Sequence, residues 1–121
     1  MIKLTFALVR RPEYTREAFQ AYWFDHHAPL VASVKDALRI RRYVQSHSLP
    51  EEASAALRES RGGPEGFDGV AQLWWDSFDE VAAASADPAG AEAARRLLED
   101  ERRFIDLARS PLWWVDERTI F

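Results

Sequence analysis

With 121 residues and a formal net charge of −4, the chain is expected to form one domain, residues 1–121, without the basic surface that duplex nucleic acid requires. Apolar residues make up 47% of it, enough for a real core, and the absence of cysteine excludes disulfides, thiol catalysis and Cys-based metal sites. No stretch approaches membrane-spanning length and Met1–Phe6 carries no signal-peptide run, so a cytoplasmic protein that meets neither nucleic acid nor membrane is expected.

Residues Ile2 to Val9 alternate Ile2, Leu4, Phe6 and Leu8 against Lys3, Thr5, Ala7 and Val9, which predicts a strand ended by Arg10-Arg11-Pro12. Thr15 is the expected N-cap of a helix with Glu17 in its first turn. Its apolar stripe is Phe19, Trp23, His27, Leu30 and Val34, and Pro29 should kink it by clashing with the Asp25 carbonyl. A second strand is expected over Ile40–Ser48, closed by Pro50. Glu51–Leu57 reads as a short helix, and Arg61-Gly62-Gly63-Pro64-Glu65-Gly66 as a loop. The connection as far as Gly69 is long enough to serve as a lid. Val70–Asp76 is the third strand. Ser77 and Glu80 form a capping box, and Asp87-Pro88 restarts that helix, which should run to about Arg109. Its stripe includes Ala94, Leu97, Leu98, Glu101, Phe104, Ile105 and Ala108, with solvent-side pairs Glu92–Arg96 and Glu99–Arg103. Leu112–Phe121 is the last strand. The order β-α-β-β-α-β predicts an α+β, ferredoxin-like fold, a four-stranded antiparallel sheet with the helices on one face.

Adjacent strand residues point to opposite faces, so Trp74-Trp75 and Trp113-Trp114 should each place one indole under the helices and one on the open side. An indole buries on the order of 200 Å², worth several kcal/mol at ~25 cal/mol per Å². That open face predicts a homodimer whose sheets pack face to face. The alternative is a bulge in each strand that turns both indoles of a pair towards the helices.

Phe19-Gln20-Ala21-Tyr22-Trp23-Phe24-Asp25-His26-His27-Ala28-Pro29-Leu30-Val31 resembles the signature of the EthD family, whose first helix reads approximately F-x-x-Y-W-x-x-x-H-A-P-L. Arg42–His47 resembles the family's second strand, and the spacing of the other elements fits along nearly the whole chain. The resemblance implies a homodimeric α/β barrel. It also implies kinship with cofactor-free monooxygenases, muconolactone isomerase-like enzymes, chlorite dismutases and dye-decolourising peroxidases, and an association with ether degradation and with aromatic or polyketide-like intermediates.

His27, on the apolar stripe beside the expected kink, is the first candidate catalytic residue. One ring nitrogen can be fixed by a freed backbone carbonyl and the other left for a ligand, and an apolar pocket keeps the ring in its basic form. The alternative is a core histidine that caps the helix break. His26 points elsewhere and is expected to be exposed. Tyr43, Gln45 and His47 share one face of the second strand, either lining a pocket or bonding across a dimer. Tyr43 and His47 are the further catalytic candidates. Trp23, Gln45, Trp74 and Trp114 are candidates for substrate binding, with the indoles stacking on a flat ligand. Asp116 can orient a histidine or pair with Arg118, and Glu117 is expected to be solvated. No G-x-G-x-x-G, P-loop, H-E-x-x-H or G-x-S-x-G motif occurs, and the histidine spacing matches no standard metal site. No cofactor and no metal are expected. Haem on His27 or His47 is the alternative, because related barrels bind it, although those domains use more chain.

The resulting expectation is a small enzyme acting on a hydrophobic, oxygenated ring metabolite, aromatic or polyketide-like, held between sheet and kinked helix. Its chemistry would be general acid/base or cofactor-independent oxidation, with His27 as base or acid and Tyr43 or His47 on a substrate oxygen. The alternative is a non-catalytic carrier that brings such a metabolite to a partner oxygenase.

Overall fold

The computed structural model describes residues 1–121. Strands β1 (Ile2–Leu8), β2 (Arg42–His47), β3 (Gly69–Trp75) and β4 (Leu112–Val115) form one antiparallel sheet in the order β2-β3-β1-β4. Helices α1 (Arg16–Tyr22) and α2 (Ala28–Leu38) make the first crossover, α4 (Phe78–Ala86) and α5 (Pro88–Phe104) the second. A further helix, α3 (Glu51–Glu59), has no buried residue and lies outside these layers. This is the expected ferredoxin-like arrangement, with α1, α2, α4 and α5 over one face. No helix is long and apolar enough to cross a membrane.

The expected N-caps form, but the Ser77–Glu80 capping box is only half made, because the Glu80 carboxylate pairs with Arg39 at 2.8 Å. Thr15 Oγ1 accepts from the Ala18 N–H at 3.1 Å, Ser77 Oγ from Glu80 at 3.3 Å and the Asp87 carboxylate from Ala89 at 3.0 Å. Pro29 does more than kink a helix. Residues Trp23–His27 form a π-helical turn between α1 and α2, in which the Ala28 N–H reaches back five residues to the Trp23 carbonyl. After the wider turn Val31 is buried in place of the half-buried Leu30, while Val34 stays on the buried stripe.

Helix α5 ends earlier than its sequence pattern suggests. Ile105 leaves the helix to bridge Arg10, the Arg11 N–H takes the Phe104 carbonyl at 3.0 Å, and the Asp106 N–H takes that of Val9 at 2.8 Å. The backbone groups a longer helix would use are committed to the end of β1, and only a 3₁₀ turn, Leu107–Arg109, follows. Ala108, past the helix end, is exposed, and so is Leu98 within α5, off its buried face. The surface pairs also differ, since Arg95 joins both Glu92 and Glu99 at 2.5 Å. The last strand stops at Val115 instead of Phe121, and Asp116 meets only Arg118, 3.7 Å away and exposed.

The ladder divides each tryptophan pair as expected. Leu4 faces Leu73 and Trp114, while Lys3 faces Trp74 and Thr5 faces Trp113. Trp75 and Trp114 therefore share the helix side, and Trp74 and Trp113 the open side. The open side is more polar than the sequence implies. Trp74 lies under Lys3 and Arg42, 5.0 and 4.7 Å from its ring centre, and its Nε1–H donates to Glu117. Glu117 is thus a partner of Trp74 and Lys3 and not simply solvated, and Trp74 is only 6% exposed against 47% for Trp113.

Two small features test the packing. A Cβ on Gly90 would stand 2.0 Å from the Ala84 carbonyl oxygen and 3.1 Å from that of Ala37, so only glycine lets α5 start against α4 and α2. Gly90→Ala is expected to destabilise by about 3 kcal/mol, read as a lower urea midpoint. Asp68, buried, accepts from the Arg10 N–H at 2.8 Å and from the guanidinium groups of Arg10 at 2.6 Å and Arg16 at 3.0 Å. Burial pushes its pKa up, but these donors outweigh it and hold the carboxyl below its ordinary value. A depressed carboxyl pKa contributes stability above the unfolded value of about 3.9 that is lost as pH falls through the folded value. Asp68→Asn is expected to flatten the acid limb of a melting-temperature profile below about pH 4.

Candidate active site

Between the sheet and the helices lies a cavity of about 220 Å³. Of its 17 lining residues, 15 are hydrophobic, including Phe6, Trp23, Leu73, Trp75 and the Tyr43 ring. The two that are not are His27 and Glu101.

His27 is buried, and its Nδ1 lies 2.7 Å from Asp100 Oδ2 on α5. A carboxylate only accepts, so the proton sits on Nδ1 and Nε2 keeps its lone pair. Nε2 has no partner within the chain and is the ring nitrogen left for a ligand. The second oxygen of Asp100 accepts from the Tyr22 hydroxyl at 2.6 Å, which fixes the carboxylate. Burial lowers the His27 pKa below its ordinary value, and the hydrogen bond and charge of Asp100 only partly oppose this. Burial thus favours the neutral imidazole. The expected partner of its first nitrogen was a backbone carbonyl freed by the kink, but a carboxylate holds it instead. The Trp23 carbonyl, which already takes the Ala28 N–H in the π-helical turn, also accepts from Gln45 Nε2 at 3.0 Å.

Glu101 follows Asp100 on α5 and turns into the cavity, where its carboxyl makes no hydrogen bond within the chain. Burial, with the like charge of Asp100 second, pushes its pKa up to about 7.

The row on β2 faces the helices, and it divides between two spaces. Tyr43 borders the inner cavity and also a more open groove of about 540 Å³ beside Gln20, Phe24 and Asp25. Gln45 and His47 border only that groove. Gln45 Nε2 donates to the Tyr43 oxygen at 2.8 Å, and Gln45 Oε1 accepts from His47 Nε2 at 2.8 Å. The Tyr43 hydroxyl proton is left to donate elsewhere, and burial pushes its pKa up to about 12, so the phenol stays protonated. His47 stacks on Trp23 with ring centres 4.5 Å apart, and burial lowers its pKa.

His27, Tyr43 and Trp23 are thus brought together, with His47 and Gln45 behind Tyr43. Trp74 lies on the opposite face of the sheet from the cavity. Trp114 is on the helix side but outside the cavity wall, edge-on to Trp75 and Phe78 at 5.5 and 5.2 Å. His26 is exposed, and the loop Arg61–Gly66 contributes nothing to the cavity wall. No group of three or more His, Cys, Asp or Glu gathers to hold a metal ion. Asp100, Glu101 and Tyr22 are the residues that sequence reasoning missed as parts of the site. Glu101 had left a signal, a carboxylate on the apolar stripe of α5 four residues after Leu97.

Fold and site together define a ferredoxin-like domain with an apolar chamber holding one histidine–carboxylate pair. The EthD domain model matches residues 11–108, and the chain belongs to the EthD family. No curated protein matches it. Among solved structures it is similar to an EthD family protein of Bacillus halodurans, at 19% identity and a TM-score of 0.62, covering 98% of this chain and 100% of that one. A dimeric ferredoxin-like protein of unknown function from Thermobifida fusca is similar at 11% identity and a TM-score of 0.60, covering 96% and 90%. SnoaB, a cofactor-independent oxygenase from Streptomyces nogalater, is similar at 15% identity and a TM-score of 0.54, covering 98% and 93%. At these identities the likeness to the three structures is one of fold.

Proposed function

We propose that the chain is a small cytoplasmic enzyme that moves protons on a hydrophobic, oxygenated ring metabolite, aromatic or polyketide-like, without a cofactor. The observation that carries this reading is His27, tied through Nδ1 to Asp100 and open through Nε2 to an apolar chamber. Nε2 takes a proton from the substrate, Asp100 stabilises the imidazolium that forms, and the Tyr43 hydroxyl donates to a substrate oxygen. Gln45 and His47 position Tyr43 from behind. The apolar wall keeps water from a resonance-delocalised anion, with which isomerisation, elimination and cofactor-independent oxidation all begin.

The test uses 2-tetralone, a bicyclic ring ketone, in D₂O. Proton NMR follows exchange of the CH₂ groups beside its carbonyl, and the melting temperature follows binding. Wild type is expected to do both, and His27→Ala to keep the melting shift while losing exchange. Undiminished exchange in His27→Ala contradicts the reading. A wild-type melting shift without exchange favours a carrier.

The same reading includes a homodimer through the open sheet face, where Trp113 stands half-exposed on the edge strand β4 next to Val115, with Val70 and Val44 farther across the same face on β3 and β2. Burying that indole contributes ~2 kcal/mol or more per copy. Trp113→Lys is expected to turn a dimer into a monomer in sedimentation at micromolar concentration, with the fold retained by circular dichroism. A wild-type monomer contradicts this part.

A further inference from the structure

Glu101 is a carboxyl without a hydrogen-bond partner in the wall of an apolar chamber, shared with a histidine whose free nitrogen is a base. The half-buried carboxyl has no partner within the chain and is free to bond a ligand in the chamber. We propose that Glu101 is a second catalytic residue: a neutral carboxylic acid that donates a hydrogen bond to the carbonyl oxygen of a ring ketone or lactone. This rests on the function proposed above and narrows its substrate class to neutral carbonyl compounds with a removable hydrogen on the adjacent carbon.

The groups around Glu101 agree. Asp100 precedes it on α5 with its negative charge, His27 faces the chamber from the π-helical turn, and Tyr43 faces it from β2. No lysine or arginine lines the chamber. With the Asp100 charge behind Glu101 and no cation in the chamber wall, a carboxylate ligand is disfavoured and a neutral oxygen acceptor is suited. Burial and the Asp100 charge keep Glu101 protonated up to about pH 7. An apolar site that holds a carboxylic acid neutral so that it can donate to a developing oxyanion is a known catalytic pattern.

In the step this supports, the C–H bond beside the carbonyl breaks and its proton forms an N–H bond on His27 Nε2. The electron pair becomes a carbon–carbon double bond, and the carbonyl π pair moves to oxygen. Glu101 and Tyr43 keep their protons and each donates a hydrogen bond to that oxygen, which has lone pairs for both. The proton then returns from Nε2 to the same carbon or to one conjugated with it. The sequence is a proton transfer with no redox change and needs no co-reactant.

The experiment is isotope-edited infrared spectroscopy of 2-tetralone labelled with ¹³C at the carbonyl and bound to the intact protein. At pH 6 the wild-type band is expected at lower wavenumber than in an apolar solvent, with part of that shift disappearing as pH rises through about 7. Glu101→Leu is expected to remove the pH-dependent part, and Glu101→Gln, which keeps a neutral donor, to restore a shift at every pH. His27→Ala is expected to leave the band unchanged while abolishing exchange, so this inference and the proposed function fail separately. A second readout needs no ligand. Because the folded carboxyl holds its proton above the unfolded value of about 4.3, stability declines as pH rises from there towards 7, and Glu101→Gln is expected to remove that decline. The inference is overturned by a wild-type band without a pH-dependent shift, whether the ketone is unbound or bound without the bond. It is equally overturned by a shift that Glu101→Leu leaves intact.

Discussion

Asp100→Asn is expected to slow exchange on 2-tetralone by about a hundred-fold or more while the protein stays folded. In the wild type both oxygens of Asp100 accept, one from Tyr22 and one from His27, so the histidine proton can sit only on Nδ1. An amide removes the charge that stabilises the imidazolium, and one of its two orientations presents NH₂ to Nδ1. That orientation moves the histidine proton to Nε2, where a base is needed. Loss of a general base costs roughly 10²–10⁴ in rate, and loss of the group that orients it is of comparable weight. The pH profile distinguishes positioning from damage. With burial no longer opposed by a carboxylate, the His27 pKa falls further, so the acid limb of the residual activity should move to lower pH. An unchanged rate and unchanged limb would remove Asp100 from the mechanism.

Phe104→Ala is expected to cost ~3–5 kcal/mol of stability. Phe104 is fully buried and its ring lies 5.4 Å from Phe19, 4.9 Å from Tyr22 and 5.2 Å from His27. It thus supports the two rings that hold Asp100 as well as the core under α1. A void there gives Tyr22 and His27 room to move, so exchange should fall more than the loss of folded protein explains. Urea unfolding followed by tryptophan fluorescence measures the first effect, and exchange assayed well below the melting temperature measures the second. A loss below ~1 kcal/mol would mean that the site's rings are held by something else.

The fold was legible because its signals are local. Alternation in Ile2–Leu8, the caps at Thr15, Ser77 and Asp87, and two split tryptophan pairs fix strands, helix starts and faces within a few residues of one another. What was not legible depends on distant partners. Helix α5 carries a helical pattern past Phe104, yet Arg10 and Arg11 capture its last turn from the far end of the chain. Glu117 looks like a solvent-facing tail residue until Trp74 and Lys3 are seen beside it. The site shows the same division. His27 and Tyr43 stand out by motif and face, whereas Asp100 is one acidic residue among several on an exposed helix. Only the packing of α5 against the π-helical turn selects it, 73 positions along the chain from His27. That turn was partly legible, since Pro29 announces a break but not that Val31 will be buried in place of Leu30.

The most direct test is the protonation of a single imidazole. Long-range ¹H–¹⁵N correlation NMR of the protein at pH 7 reads both ring nitrogens of His27. A neutral ring with its proton on Nδ1 and a bare Nε2, whose resonance moves when 2-tetralone is added, is the result expected. A ring charged at that pH, or one bearing its proton on Nε2, would leave the chamber without a base and contradict the account.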